Sequence, residues 1–377
     1  MKKILVVFGT RPEVIKMAPL VAALKKEKSF NTFVCSTGQH KEMLKQVSQI
    51  FKIKIDYELD LMKPNQDLFD ITVATNSKLK NLLIELQPDV LLVQGDTTTA
   101  FVSALSAFYK KIKIGHVEAG LRSNNIYSPY PEEANRKFIS VITDFNFVPT
   151  KYAKDNLISE GYDAKRVFVT GNTVIDALLQ IKKLVDTPKV QIEIKNNLKK
   201  IYPTDFLCKE FVLITMHRRE KFGDEFKKVL DTFKELASKN PELEFIYPVH
   251  LNPNVKIPVE ATLKGLTNFH LLPPMDYLSF IYLMEKCKFI MSDSGGIQEE
   301  CFVFRKPIIV LRDVTERMEA VDAGYAFLVG SNVNKIKKTF HSVNKNLSLG
   351  HNYFKGKNPY GDGKASEKIV ELLKKHL

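Results

Sequence analysis

Three carboxylates stand just past apolar, strand-like runs in the first half of the chain. Asp96 follows Val90–Gly95, Glu118 follows Ile114–Val117, and Glu132 closes a loop framed by Pro129 and Pro131. In open α/β sheets ligands bind beyond the carboxyl ends of the strands. Carboxylates gathered there can take and deliver protons. Structure alone would also account for two of them. An aspartate before threonines is a common helix N-cap, and Glu132 with Glu133 suits a helix first turn, where acids offset the dipole. A glutamate at a strand end, like Glu118, is not required by packing.

Cations occupy comparable places. Gly9-Thr10-Arg11-Pro12-Glu13 joins the first apolar run to a helix, with Thr10 and Glu13 at capping-box spacing and Pro12 suited to the first turn. Arg11 and Lys16 lie near that helix start, where the dipole disfavours a cation. A bound anion would offset the cost. His217-Arg218-Arg219-Glu220 follows the first strand-like run of the second half and offers a cation cluster for a phosphate. His250 lies at the next strand end. Ser292-Asp293-Ser294-Gly295-Gly296 opens a helix whose free N–H groups suit an anion, and a carboxylate one turn in, at Glu299 or Glu300, could accept from a ribose diol.

The elements that must position these residues alternate regularly. Strand-like runs at Ile4–Phe8, Thr32–Ser36, Val90–Val93, Ile112–Val117, Phe145–Val148 and Val167–Thr170 are separated by helical patterns such as Thr98–Lys110 and Lys151–Glu160. A second series follows at Phe211–Thr215, Glu244–Val249, Phe269–Leu272, Phe289–Met291, Ile308–Leu311 and Ala326–Val329. Such alternation predicts an α/β protein of two doubly wound, Rossmann-like halves with a cleft between them. The helical stretch Thr173–Val185 and the polar, lysine-rich segment at about 186–205 form the junction. The domains are then 1–175 and 176–363, and the final helix, within 364–377, follows a Pro-Tyr-Gly-Asp-Gly turn. No G-x-G-x-x-G fingerprint follows the first strand, which disfavours NAD.

Composition narrows the class. The 377 residues suit two domains, and an apolar fraction of 44% is ample for their cores. The net charge of +13 is spread along helix faces without an arginine-rich tract, which argues for a local anion site rather than nucleic acid. Four cysteines, Cys35, Cys208, Cys287 and Cys301, never form C-x-x-C and read as reduced, mostly buried thiols of a cytosolic protein. No run approaches the length of a membrane span, and the N-terminal run is a first strand rather than a signal peptide. A basic, glycine-opened second half and an acidic first half suit a sugar nucleotide.

The ordered set Gly-Thr-Arg-Pro-Glu, Gly-Asp-Thr-Thr-Thr, His-Val-Glu-Ala-Gly-Leu-Arg, Pro-Glu-Glu-x-Asn-Arg, Thr-Gly-Asn-Thr-Val-Ile-Asp, His-Arg-Arg-Glu, Ser-Asp-Ser-Gly-Gly-Ile-Gln-Glu-Glu and Asn-Pro-Tyr-Gly-Asp-Gly runs through essentially the whole chain. It closely resembles the non-hydrolysing UDP-N-acetylglucosamine 2-epimerases. The resemblance implies a GT-B fold, with the C-terminal helix crossing back to the first domain. It also implies a cytoplasmic homodimer that serves cell-surface polysaccharide synthesis with neither NAD nor metal.

The implied reaction interconverts UDP-N-acetylglucosamine and UDP-N-acetylmannosamine, by elimination of UDP to a 2-acetamidoglucal and re-addition. By motif match, Asp96, Glu118, Glu132 and His217 are catalytic. Arg11, Lys16, Ser294, Gly295 and Gly296 hold phosphate, Glu300 holds the ribose, and Phe280 and Arg317 contact ligand. Gln39, Arg218 and His250 match a regulatory subsite for a second UDP-N-acetylglucosamine. The rival readings are an epimerase that hydrolyses its product, one for a uronic UDP-sugar, a GT-B glycosyltransferase and a non-catalytic UDP-sugar sensor.

Overall fold

The computed structural model describes the chain apart from residues 39–40, 63–65, 203–205 and 217–222, and the side chains of 41–45 and 206. Gln39, His217 and Arg218 therefore lie outside the described residues. The chain forms two compact units, Met1–Ala177 with Pro359–Leu377, and Leu178–Asn358.

In chain order the first unit contains β1 (Lys2–Phe8), α1 (Arg11–Lys26), β2 (Phe30–Ser36), α2 (Lys41–Ile50), β3 (Tyr57–Glu58), α3 (Leu68–Leu86) and β4 (Val90–Gln94). Then come α4 (Thr98–Tyr109), β5 (Lys113–Val117), α5 (Glu132–Ile142), β6 (Phe145–Val148), α6 (Lys151–Ser159), β7 (Val167–Val169) and α7 (Thr173–Val185), whose last residues belong to the second unit. The second unit continues with α8 (Pro188–Ile201), β8 (Phe211–Thr215), α9 (Asp224–Lys239), β9 (Glu244–Pro248), α10 (Pro253–Leu263), β10 (Phe269–Leu272) and α11 (Tyr277–Lys286). It ends with β11 (Phe289–Ser292), α12 (Gly295–Val303), β12 (Ile308–Val310), α13 (Met318–Asp322), β13 (Ala326–Leu328) and α14 (Val333–Ser348). The last helix, α15 (Ala365–His376), returns to the first unit and packs on α1, where Lys374 pairs with Glu27 at 2.9 Å.

Among the described residues the first sheet has strand order β3-β2-β1-β4-β5-β6-β7 and the second β10-β9-β8-β11-β12-β13. The strand pairs are parallel. In both sheets the order reverses beside the first strand, the doubly wound arrangement that opens a crevice at a switch point. For the first unit that point lies between β1 and β4, and for the second between β8 and β11. Helices on both faces explain why β1 and β4 read as continuous apolar runs: Ile4–Phe8 and Val90–Val93 are all buried. Leu5, Val7, Leu91 and Val93 pack with Leu79, Leu83 and Ala104 of α3 and α4. The second core joins Val212, Phe245 and Phe289 to Phe233 and Phe340.

Two elements stand where the sequence reading named none. The lysine-rich segment near 186–205 is largely helical: α8 buries Ile194 and Leu198 and packs on α11. The two-residue β3 has no apolar run that would reveal it. Cys35, Cys287 and Cys301 are buried thiols, and Cys208 is exposed. Burial pushes the Cys35 and Cys287 thiols up to about 12. Among the described residues no helix is long and apolar enough to cross a membrane.

Candidate active site

The switch point of the first unit is built by the loops after β1 and β4. Beyond β1, the Glu13 carboxylate accepts the N–H groups of Gly9 at 2.8 Å and Thr10 at 2.6 Å, which caps α1. The same carboxylate accepts the Thr97 hydroxyl at 2.6 Å, so it ties the β1 loop to the β4 loop. Burial pushes the Glu13 carboxyl up, against the pull of these donors. Arg11 begins α1 and is half-buried. Capping-box spacing accounts for the contacts to Gly9 and Thr10, but nothing in it foretells the bond to Thr97.

Opposite β4, Gln94 is in register with Val117 of β5, and Gly95 N–H donates to the Val117 carbonyl at 3.0 Å. This register sets Asp96 and Glu118 just past neighbouring strand ends. Asp96 does not cap α4. Thr97 is the N-cap, its hydroxyl oxygen accepting from Ala100 N–H at 3.0 Å. Asp96 instead accepts from Arg136 Nε at 2.9 Å, and its backbone carbonyl accepts from Asn135 Nδ2 at 2.9 Å. Arg136 also donates to the fully buried Glu133 at 2.7 Å, and Glu133 takes Ser123 N–H at 3.0 Å. The helix bearing Glu132 is thereby held against the Asp96 loop. Glu132 is half-buried at the first position of α5, beside the inward Glu133.

Glu118 has the most constrained setting. Its φ is +65°, a left-handed conformation that glutamate seldom adopts. Gly120 follows at φ +82°, where a Cβ would meet the Ala153 carbonyl oxygen at 2.3 Å, so glycine is required. The Glu118 carboxylate contacts the Lys16 ammonium, and both side chains are buried. One of its oxygens also accepts from Gln94 Nε2 at 3.0 Å and Asn172 Nδ2 at 3.3 Å. Strain held at a strand end by several partners is a mark of functional sites. Two residues earlier on β5, His116 Nε2 donates to the Gly95 carbonyl at 2.7 Å. Burial pushes its imidazole down to about 4, so it is neutral at pH 7. Sequence reading did not single out His116, Gln94, Arg136 or Asn172, whose partners lie far along the chain.

In the second unit, Asp293 follows β11 and Ser294 is the N-cap of α12. Ser294 N–H donates to Ser292 Oγ at 2.9 Å, and that hydroxyl lies 2.6 Å from the Thr215 hydroxyl. A Cβ at Gly295 would meet Arg317 Nη1 at 2.7 Å. A guanidinium thus lies against the positive end of a helix, an unfavourable placement unless anions offset it. Glu299 supplies one, 2.6 Å from Arg317 Nε, and Glu316 another, 3.4 Å from Nη1. Glu300 lies beside Gly296 and is half-buried. A helix N-terminus and a guanidinium therefore lie side by side here, both features that favour a negative charge. Phe280 is half-buried on α11, and the exposed His250 accepts from Asn252 N–H at 3.1 Å. Among the described residues no group of three or more His, Cys, Asp or Glu could hold a metal ion.

These are two Rossmann-like domains of the GT-B class, the first with acids past its strand ends and the second with a glycine-opened helix start beside Arg317. The family model for UDP-N-acetylglucosamine 2-epimerase matches residues 22–374. The chain belongs to that family. It is 48% identical over 375 residues to the UDP-N-acetylglucosamine 2-epimerase of Yersinia pestis, spanning 99% of each chain. The crystal structure of the Neisseria meningitidis UDP-GlcNAc 2-epimerase bound to UDP-GlcNAc matches with a TM-score of 0.93 at 47% identity, over 99% of this chain and 100% of that one. The Methanocaldococcus jannaschii enzyme in complex with UDP-GlcNAc and UDP matches with a TM-score of 0.86 at 32% identity, over 99% of each chain.

Proposed function

We propose that the chain interconverts UDP-N-acetylglucosamine and UDP-N-acetylmannosamine by eliminating UDP and adding it back. The C2 proton is not next to a carbonyl, so direct deprotonation is costly. A carboxylate instead takes that proton as the C1–O bond breaks, its electron pair leaving on the β-phosphate of UDP. The 2-acetamidoglucal so formed has a C1=C2 double bond. UDP oxygen then re-forms the bond to C1 while a proton reaches the other face of C2. Inversion therefore needs acid–base groups on two faces, and the departing diphosphate needs cations and N–H groups.

The observation that carries this reading is the setting of Glu118: buried, left-handed in backbone, at a strand end, touching Lys16 and held by two amides. Asp96, Glu132 and His217 complete the acid–base set. Arg11, Lys16, Ser294, Gly295 and Gly296 take the diphosphate, Glu300 the ribose, and Phe280 and Arg317 further ligand contacts. Gln39, Arg218 and His250 form a second subsite for UDP-N-acetylglucosamine.

The enzyme is proposed to work as a cytoplasmic homodimer that supplies amino-sugar donors for cell-surface polysaccharide. The buried thiols of Cys35, Cys287 and Cys301 suit a reducing compartment. Phe69 and Val73 on α3, Phe108 and Tyr109 on α4, and Phe138 and Val141 on α5 are exposed on adjacent helices, the kind of apolar surface that marks an interface.

Cleavage of the C1–O bond is tested with substrate carrying a heavy oxygen isotope in the sugar–phosphate bridge. A freed UDP rotates its β-phosphate, so the label should spread to non-bridging positions during turnover. Epimerisation with the label fixed in the bridge would rule elimination out.

A further inference from the structure

Two motifs have no part in the reaction as described, Thr170–Asp176 and Pro359–Gly363, yet they meet. Asn172 N–H donates to the Tyr360 carbonyl at 2.7 Å. Gly171 and Gly361 cross beside this bond at φ +91° and +118°, and a Cβ on Gly361 would stand 3.2 Å from the Gly171 Cα. Neither position accommodates a side chain without strain. Four residues on, the Asp176 carboxylate accepts the N–H groups of Ala365 at 3.2 Å and Ser366 at 2.8 Å, which caps α15 from another helix. One short motif therefore grips the C-terminal segment at two places. The chain leaves the first unit after Ala177 and re-enters it at Pro359, so both passages end on this clasp.

The clasp reaches the candidate site through one side chain. Asn172 is buried, and its Oδ1 accepts Val174 N–H at 3.1 Å. That bond fixes which way the amide faces, so Nδ2 is the atom 3.3 Å from the Glu118 carboxylate. We propose that Asn172 is a positioning residue for Glu118, and that the returning C-terminal segment sets where Asn172 stands. The inference rests on the epimerase reading of Glu118. A hydrogen bond to a charged group is among the stronger ones a protein makes, and a misplacement of a reacting group is costly to rate.

The test compares Asn172→Ser and Asn172→Asp with the wild type. Serine and aspartate are both good helix-start residues and keep an acceptor for Val174 N–H. Serine's shorter side chain draws the donor back from Glu118, already 3.3 Å from Asn172 Nδ2, and aspartate puts a second negative charge there. Positioning predicts kcat lowered roughly tenfold or more in Asn172→Ser, with KM and melting temperature little changed, and a further loss of kcat in Asn172→Asp, where the added buried charge also lowers melting temperature. Gly361→Ala, remote from any reacting group, should also lower kcat without weakening UDP binding. Wild-type kcat in both Asn172 variants would overturn the inference, as would losses that follow melting temperature alone. If the wild type itself does not epimerise, the functional reading fails instead.

Discussion

Lys16, one turn into α1, and Glu118, past the end of β5, are in direct contact although 102 residues separate them in the chain. Both are buried. The cation that looked unexplained on a helix start thus has a carboxylate partner inside its own unit. Removing one member of a buried pair typically costs about 3–5 kcal/mol, because the other charge is left uncompensated. Lys16→Met is expected to lower the melting temperature and abolish turnover. Adding Glu118→Gln should restore much of the stability and none of the activity, as measured by thermal unfolding beside an epimerisation assay.

Adjacent acids at the start of α5 should separate by role. Glu133 is fully buried and bonded to Arg136 and Ser123, whereas Glu132 is half-buried beside it. Glu132→Gln is predicted to lower kcat by a hundredfold or more, on the order of general acid–base contributions, with little change in stability. Glu133→Gln is predicted to cost about 1–3 kcal/mol of stability, as a disrupted buried hydrogen-bond pair does. Denaturant titration and kcat measured on both variants check the division.

His116 supplies a pH dependence. Burial holds its imidazole at about 4 in the folded state, against an ordinary value of 6.5. Between those values the unfolded chain binds a proton that the folded one does not, so stability falls as pH falls. Its contribution is complete above the higher value and lost on passing the lower, about 3 kcal/mol in all. Urea unfolding across this range should show that slope, and His116→Gln should flatten it.

Gly295 is closely fitted to Arg317. A Cβ there would meet Nη1 at 2.7 Å while Glu299 holds the guanidinium at 2.6 Å. Gly295→Ala is predicted to displace Arg317 and weaken UDP binding roughly tenfold, a loss of the size of one charged hydrogen bond. Calorimetric titration with UDP measures it. Unchanged affinity would place the diphosphate elsewhere.

Much of the fold was legible because buried parallel strands announce themselves. Phe211–Thr215 and Phe269–Leu272 appear in the sequence with the bounds they have in the structure. The helix α8 was not, since its lysines obscure the few apolar residues it buries. Within the site, the acids were visible at strand ends, but their partners were not. Arg136 reaches Asp96 across 40 residues and Asn172 reaches Glu118 across 54, distances over which spacing carries no information. The cap of α4 was ambiguous for a local reason. Asp96 and Thr97 both have suitable oxygens, and the choice falls to Thr97 because Arg136 draws Asp96 aside.

The most direct test follows hydrogen at C2. The enzyme is incubated with UDP-N-acetylglucosamine in heavy water, and the product is examined by proton NMR. Two-face exchange through a glycal predicts UDP-N-acetylmannosamine carrying deuterium at C2 from the first turnovers. Product that retains its original C2 hydrogen would contradict the account.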